Sequence, residues 1–470
     1  MRKAVPLTAL ALAGCMSLDP QYVRPDPAIP ASWPAGDPYL RQSEATLPAV
    51  TYQDIFRDPR LRTLIGQALI NNRDLQVAAA NIAAAREQYR IQRAELFPEV
   101  DASVGVSGAE SNGGSGASAQ FTAGVGIPSF ELDLFGRIAS LSRADLNRYL
   151  ATESGARATR LALIGDIATA WLTCAADASM AQIAEQTAAS AEKSVWLTRA
   201  RLEGGIAPRT DLRQAEQILN QARADLANLR SQVAQDANLL QLLVGAPVDA
   251  SLLPRSIDEA APTIAELPAG LDSTVLLRRP DVVQAEYQLL AANAEIGAAR
   301  AALFPRISLT GLLGLASSSL TGLFSGGAFG WSGAADATYP IFRAGAGRAN
   351  VRLTEAQRNA AIASYQKAIQ TAFREVADGL ARRGTIGDQI RARQAQRDAA
   401  ADNYALSEAR YREGIDSFLN SLDAQRSFYL AQQALVQTKL TAALNLVNLY
   451  EALGGDSLYP PASPAPPPAR

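Results

Sequence analysis

Cys15 carries the most explicit chemistry in the sequence. It follows Leu12-Ala13-Gly14 and a short apolar stretch from Val5 to Ala13, itself preceded by Arg2 and Lys3. A charged start, a brief apolar segment and small residues before a cysteine describe a secretory signal of lipobox type. The chemistry is thioether attachment of a diacylglycerol to the Cys15 sulfur, cleavage before Cys15, and palmitoylation of the new amine. A plain signal cut near Ala13, with Cys15 incidental, is the alternative. The apolar stretch falls well short of the ~20 residues that span a bilayer as a helix. Met16, not Asp, follows Cys15. In enteric-type lipoprotein sorting, that absence directs the anchored chain to the outer membrane.

Elsewhere reactive groups are scarce. The 470 residues contain no histidine, so His general bases, Ser-His-Asp triads and His-ligated metals are excluded. The second cysteine, Cys174, gives no disulfide framework with Cys15 and reads as a buried free thiol. Lys plus Arg number 44 against 46 for Asp plus Glu, a net charge of −2 that argues against a nucleic-acid surface. No enzyme constellation, metal site or cofactor is expected, apart from the covalent diacylglycerol and palmitate on Cys15. One spacing stands out. Leu419 and Asp423 are four apart, hence on one helical face, and Arg426 follows three residues later. Taken alone, the pattern reads as a solvated acid with an intrahelical Asp423–Arg426 pair.

The elements that position these residues repeat. Ala94-Glu95-Leu96-Phe97-Pro98 matches Ala301-Ala302-Leu303-Phe304-Pro305 at an offset of 207, and Gly245 matches Gly454 at 209. A period this long is a duplicated domain-sized unit. Each unit opens with a helix, Leu61 to Leu96 or Ser273 to Leu303, that stops at Phe-Pro because proline breaks the hydrogen-bond ladder. The pattern then alternates with period two: Val100, Ala102, Val104 and Val106; Phe121, Ala123, Val125 and Ile127; and in the second unit Ile307 to Leu313 and Trp331 to Tyr339. These are strands of about nine residues joined by Gly/Ser loops. Proline-free helices follow, Arg137 to Glu203 and Ala344 to Arg412, each reaching roughly 100 Å at 1.5 Å per residue. Their apolar residues recur at heptad-like spacing. Gly204-Gly205 and Gly414 break them, and helices return over Asp211 to Val244 and Phe418 to Leu453.

The fold class is therefore mainly α with a membrane β-barrel part, built from a duplicated helix–β-hairpin–long helix–helix unit. The expected divisions are a signal peptide at 1–14, a lipid-anchored Pro-rich strap at 15–48, a first repeat at 49–255 with its hairpin at about 99–130, a second at 256–455 with its hairpin at about 306–341, and a Pro-rich disordered tail at 456–470. Four strands cannot close a barrel, and an open edge in lipid leaves backbone groups unpaired. The strands must be shared among protomers, eight in a dimer or twelve in a trimer. Gln120, Thr122, Ser308, Thr310, Ser332, Asp336 and Thr338 would face the lumen.

The sequence resembles the TolC-like outer-membrane efflux channels, in their lipoprotein (NodT-type) branch serving resistance-nodulation-division pumps. The resemblance runs from Cys15 to about Gly455. It is carried by Gly14-Cys15 with Pro20, Tyr22 and Pro25; Phe56-Arg57-Asp58-Pro59; Phe130-Glu131-Leu132-Asp133-Leu134-Phe135-Gly136-Arg137; Arg278-Arg279-Pro280-Asp281; Ala301 to Ser308; and Tyr411-Arg412-Glu413-Gly414 leading to Leu422-Asp423-Ala424-Gln425-Arg426. It implies a homotrimer with a 12-stranded barrel and an α-helical periplasmic tunnel, partnered by a periplasmic adaptor, an inner-membrane pump and outer-membrane lipids. It also implies that Leu419 and Asp423 form constricting rings at the periplasmic gate, with Arg426, Tyr411 and Asp211 locking neighbouring tip helices. Gly204, Gly205, Ile206, Gly414, Ile415 and Ser417 would dock the adaptor. The implied function is a passive exit duct for small molecules. A duct for type I protein secretion and a non-porous lipid-anchored coiled coil are the alternatives.

Overall fold

A computed structural model describes residues 17–27, 29–30, 33–34, 51–109, 118–265 and 273–455. Cys15, the signal segment and the tail lie outside the described residues. The elements run α1 (Tyr52–Ile55), α2 (Pro59–Asn71), α3 (Arg73–Ala94), β1 (Asp101–Ala109), β2 (Ser118–Leu132), α4 (Arg137–Glu203), α5 (Arg209–Val244), α6 (Ile257–Ala260), α7 (Pro280–Ala301), β3 (Arg306–Ser317), β4 (Phe329–Thr338), α8 (Ala346–Arg412) and α9 (Phe418–Ala452).

Two expected helices are interrupted, each for a local reason. Leu61 to Leu96 is split at Asn72, which is 2% exposed. Its Nδ2 donates to the Leu243 carbonyl at 2.8 Å and its Oδ1 accepts from Leu75 N–H at 3.0 Å, so it starts α3 as a cap. Ser273 to Leu303 begins as a 3-10 turn, Ser273–Arg278, and becomes α-helix only at Pro280, which suits a first helical position.

The chain divides by contacts into two units. They do not follow the two repeats but cut across both. One unit comprises residues up to 26, 80–154 and 283–367. It holds one antiparallel sheet in the order β1-β2-β3-β4, in which the hairpins of the two repeats join through β2 and β3. That pairing across repeats is why contacts cannot separate them. The strands are 9, 15, 12 and 10 residues long rather than uniformly nine. Register sets the faces. Val104 opposes Ala123, Ala123 opposes Leu315, and Leu313 opposes Val125 and Trp331, all on one apolar face. Ser308 opposes Asp336 and Glu131, and Thr310 opposes Ala334, on the other. Between Ile127 and Phe130 the register shifts by one residue at Pro128-Ser129. The bulge keeps Phe130 and Leu132 on the apolar face, and proline, which has no N–H to donate, is suited to it.

The segment Phe130 to Arg137 then turns the strand into a helix. Asp133 accepts from Ile138 N–H at 3.1 Å and Ala139 N–H at 2.7 Å, capping α4, while Arg137 forms a two-point ion pair with Glu131 at 2.8 Å per bond. In the same unit, residues 17–26 lie along α4 and α7. Asp19 accepts from Ser140 Oγ at 2.7 Å and Arg143 Nε at 2.8 Å, Pro20 accepts from Asn293 Nδ2 at 2.8 Å, and Arg24 pairs with Glu286.

The other unit comprises 27–79, 155–282 and the chain from 368 onward. Its core holds Phe56, Leu61, Leu64, Ile65, Ile164, Trp171, Leu240 and Tyr450, all 0–1% exposed. The Phe56 to Pro59 motif starts α2: Asp58 caps it by accepting from Arg60 N–H at 2.8 Å, and the Phe56 ring meets Tyr450 edge-on at 5.5 Å. Arg279 is 8% exposed and bridges Asp281 at 2.8 Å, Glu375 at 2.9 Å and the Ala452 carbonyl at 2.8 Å. An 18-residue window of α4 is apolar enough to cross a membrane by composition, yet 67% of it is buried inside the protein.

Candidate functional site

The helical tips are built by two matching turns. At the end of α4, Gly205 N–H bonds the Leu202 carbonyl at 3.0 Å and Ile206 N–H bonds Arg201 at 2.9 Å. At the end of α8, Gly414 N–H bonds Tyr411 at 3.0 Å and Ile415 N–H bonds Arg410 at 2.9 Å. Both glycines are left-handed, with φ of 72° and 77°. This paired closure satisfies the last helical carbonyls and needs a residue that accepts positive φ. Ile206 and Ile415, next in each chain, are 76% and 63% exposed. Gly204 ends α4's turn, and Ser417 is the extended residue that starts α9.

The two tips are held together from within the chain. Ala191 and Val195 of α4, Leu212, Ala215 and Leu219 of α5, Tyr411 of α8, and Phe418 and Leu422 of α9 form one buried cluster. Tyr411 and Phe418 rings lie 5.2 Å apart, and the Arg201 guanidinium stacks 4.5 Å from the Tyr411 ring. Arg201 also donates to the Arg412 carbonyl at 2.8 Å. Arg410 closes the second turn by pairing with Asp416 at 2.5 Å.

Tyr411 is therefore a core aromatic as well as a tip residue. Burial pushes its phenol up, and its hydroxyl has no partner within the described residues. Asp211, in the first turn of α5, is near enough for its charge to act on Tyr411, but no hydrogen bond joins them. Leu419, Asp423, Arg426 and Leu430 fall at i, i+4, i+7 and i+11 of α9 and are all exposed, while Phe418, Leu422 and Gln425 beside them are buried. Asp423 and Arg426 do not pair with each other among the described residues. One face of α9 thus packs on its own chain, and the other presents a leucine–aspartate–arginine–leucine stripe. Arg201 and the Arg410–Asp416 pair were not singled out from sequence. Basic residues in a last helical turn are a general signal for carbonyl contacts there.

Elsewhere, a cavity of about 720 Å³ opens beside Arg279 and is lined also by Glu375, Asp378, Arg382 and Glu451. No group of three or more metal-ligating side chains exists among the described residues.

Strands with one apolar face on a sheet whose edges are open, together with paired helical hairpins, define the class: an outer-membrane channel subunit with a helical tunnel part and a β-barrel part. A family model described as outer membrane efflux protein matches the chain twice, over residues 64–246 and 271–455. The second match begins 207 residues after the first, the spacing of the repeat. The solvent efflux pump outer membrane protein SrpC of Pseudomonas putida is 43% identical over 96% of this chain and 98% of its own. A crystal structure of a membrane protein from Pseudomonas aeruginosa is 38% identical with a TM-score of 0.85, over 93% of this chain and all of its own. The open state of the Neisseria gonorrhoeae MtrE outer membrane channel is 35% identical with a TM-score of 0.80, over 94% of this chain and 98% of its own. The chain belongs to the outer membrane efflux protein family, and it is the outer-membrane component of an efflux pump.

Proposed function

We propose that this chain is the passive exit duct of a tripartite pump. It assembles as a homotrimer, is anchored through diacylglycerol and palmitate on Cys15, and works with a periplasmic adaptor and an inner-membrane resistance-nodulation-division pump. The observation that carries the reading is the open sheet. Its four strands leave β1 and β4 as edges, and the apolar face carries Val104, Trp331 and Leu313 at 87%, 78% and 53% exposure. A lipid environment favours such a face but penalises unpaired edge groups by several kcal/mol each. Three copies supply twelve strands and remove every edge. The polar face, with Ser308, Thr310 and Asp336, then lines the lumen.

A duct needs a constriction rather than a catalytic group. The exposed α9 stripe supplies one when three copies meet on an axis. Leu419 would form an apolar ring and Asp423 an anionic ring one turn on. At ~6 Å in water each Asp423 pair repels by about 0.7 kcal/mol, and more in a narrow pore. Arg426, which has no partner among the described residues, would reach a neighbouring copy's acid, and Asp211 is the candidate there. Glycines 204, 205 and 414, with Ile206, Ile415 and Ser417, give the adaptor a surface of exposed isoleucines between small residues.

The test is complementation. In cells lacking their outer-membrane efflux component, the chain with its cognate adaptor and pump should lower accumulation of a fluorescent cationic dye. Lowered accumulation without the pump, or none with it, contradicts the reading.

A further inference from the structure

Pairing of β2 with β3 sets α4 beside α7, because α4 follows β2 and α7 precedes β3. The duplication supplies the same two elements again at the open edges of the sheet: α8 follows β4, and α3 precedes β1. α3 and α7 are both 22 residues long and start 207 residues apart; α4 and α8 are both 67 residues long and start 209 apart. Their burial differs. α7 buries Val282, Leu289, Ile296 and Ala299, whereas no residue of α3 is buried. The corner aromatics differ in the same way. Phe135 and Phe304 stack at 4.6 Å, while their counterparts Phe342 and Phe97 are 87% and 66% exposed. In the trimer proposed above, β4 of one copy pairs with β1 of the next, so α8 meets the next copy's α3 as α4 meets α7.

The two grooves differ in what fills them. Between α4 and α7 lies the strap. Asp19 accepts from Arg143 of α4, and its carboxylate takes the space that a Cβ at Gly297 of α7 would need. Asn293 and Arg300 of α7 donate to the Pro20 and Leu18 carbonyls at 2.8 and 3.5 Å. On α8 the position of Arg143 is held by Arg352, and on α3 those of Asn293, Gly297 and Arg300 are held by Arg86, Arg90 and Arg93. All four are exposed. Arg86, Arg93 and Arg352 have no partner among the described residues. The acids nearby are engaged: Glu87 pairs with Arg90, Glu355 pairs with Arg300, and Glu95 accepts from Gln92. Three unanswered cations therefore share the second groove, where the first has the carboxylate of Asp19.

We propose that the groove between α8 of one copy and α3 of the next binds the headgroup of an anionic phospholipid. Its phosphate takes the place that Asp19 holds in the first groove. It accepts from Arg352 and Arg93, whose guanidinium forks match phosphate oxygens two at a time, and Arg86 stands beside the rest of the headgroup. Arg93 precedes β1 by eight residues and Arg352 follows β4 by fourteen, so the groove lies at the periplasmic boundary of the lipid-facing strands. Basic pockets at such a boundary favour lipids of net negative charge, since a zwitterionic headgroup brings an ammonium that arginines repel. The proposal rests on the trimeric reading and adds to it a ligand and the residues that hold it.

Native mass spectrometry of the full-length protein in mild detergent reads assembly and lipid retention together. Delipidated wild type titrated with phosphatidylglycerol should appear as three protomers retaining up to three lipids. Phosphatidylethanolamine should need at least tenfold higher concentration for equal occupancy, and inorganic phosphate equimolar with the lipid should leave occupancy unchanged. Arg93→Gln with Arg352→Gln should lower phosphatidylglycerol affinity at least tenfold, and Arg93→Lys with Arg352→Lys, which keeps the charge, less than threefold. Arg352→Gln alone should cost about threefold and decides the matter if the Gln pair does not assemble. Trimers that retain both lipids equally, that lose phosphatidylglycerol to equimolar phosphate, or that keep full affinity in the Gln variants overturn the proposal and leave the trimer standing. A monomer overturns the trimer and the proposal with it.

Discussion

Glu451 is placed against the grain of its charge. Its carboxyl fills the notch left by Gly165 on α4, where a Cβ would overlap Oε1. Burial first, then the charges of Asp166 and Glu375, push that carboxyl up to about 7 against the pull of Arg279. Asp281, Asp378 and Arg382 line the same cavity. Because the folded pKa lies above the unfolded one, the folded state keeps a proton that the unfolded chain loses. The stability tied to Glu451 is complete below about pH 4.5 and declines as pH rises to about 7. Glu451→Gln should therefore melt like wild type near pH 4.5 and be more stable above pH 7, by ~1–3 kcal/mol. Thermal unfolding in detergent across that range checks it; an equal difference at both ends would refute the linkage. Gly165→Ala should destabilise by ~1–3 kcal/mol through overpacking, and Gly165→Ala with Glu451→Ala should recover most of the loss. The sequence made Arg279 visible as part of a motif. It could not show Glu451, whose character comes from neighbours nearly 300 residues away in the chain.

At the scale of elements, what was legible followed from local backbone chemistry. Phe97-Pro98 and Phe304-Pro305 end helices because proline cannot continue the ladder, and Gly205 and Gly414 turn the tips because their φ is positive. Alternation located the strands. The bulge at Pro128-Ser129 was not legible, since one extra residue is defined only by the partner strand, β3. The break at Asn72 escaped for the same reason, because its amide answers a carbonyl at Leu243. Helical spacing puts Leu419, Asp423 and Arg426 on one exposed face of α9, as the sequence suggested, whereas the packing of the tip residue Tyr411 on Phe418 and Arg201 of its own chain was not legible, because it joins segments about 210 residues apart. Deleting Ser129 should remove the bulge yet leave Phe130 and Leu132 opposite Leu309 and Ile307 on the apolar face, whereas inserting a glycine after Leu312 should put Phe130 and Leu132 on the polar face and lower the yield of folded protein in the outer membrane, measured by heat-modifiable mobility on gels. Gly414→Val should cost about 1–2 kcal/mol from positive φ alone, read as a lower melting temperature, whereas the same change at Gly330, which is unstrained, should not.

For the whole molecule, the open sheet and the exposed stripe on α9 both ask for further copies of the chain. Mass measured in mild detergent should correspond to three protomers, and a stable monomer that conducts would refute the shared barrel. Cys15→Ser should abolish incorporation of labelled palmitate while leaving some insertion, since the barrel itself holds the membrane; continued labelling would place the lipid elsewhere. The central claim is a passive pore closed by rings of Leu419 and Asp423. Single-channel recording in planar bilayers tests it most directly. Asp423→Ala should lower cation selectivity and relieve block by divalent ions, because ring charges act at short range where salt screens poorly. Leu419→Ala with Asp423→Ala should show the largest rise in conductance, and Asp336→Ala in the wider strand region should change little. Unchanged selectivity and block in Asp423→Ala, with both altered in Asp336→Ala, would put the constriction among the strands and contradict the account.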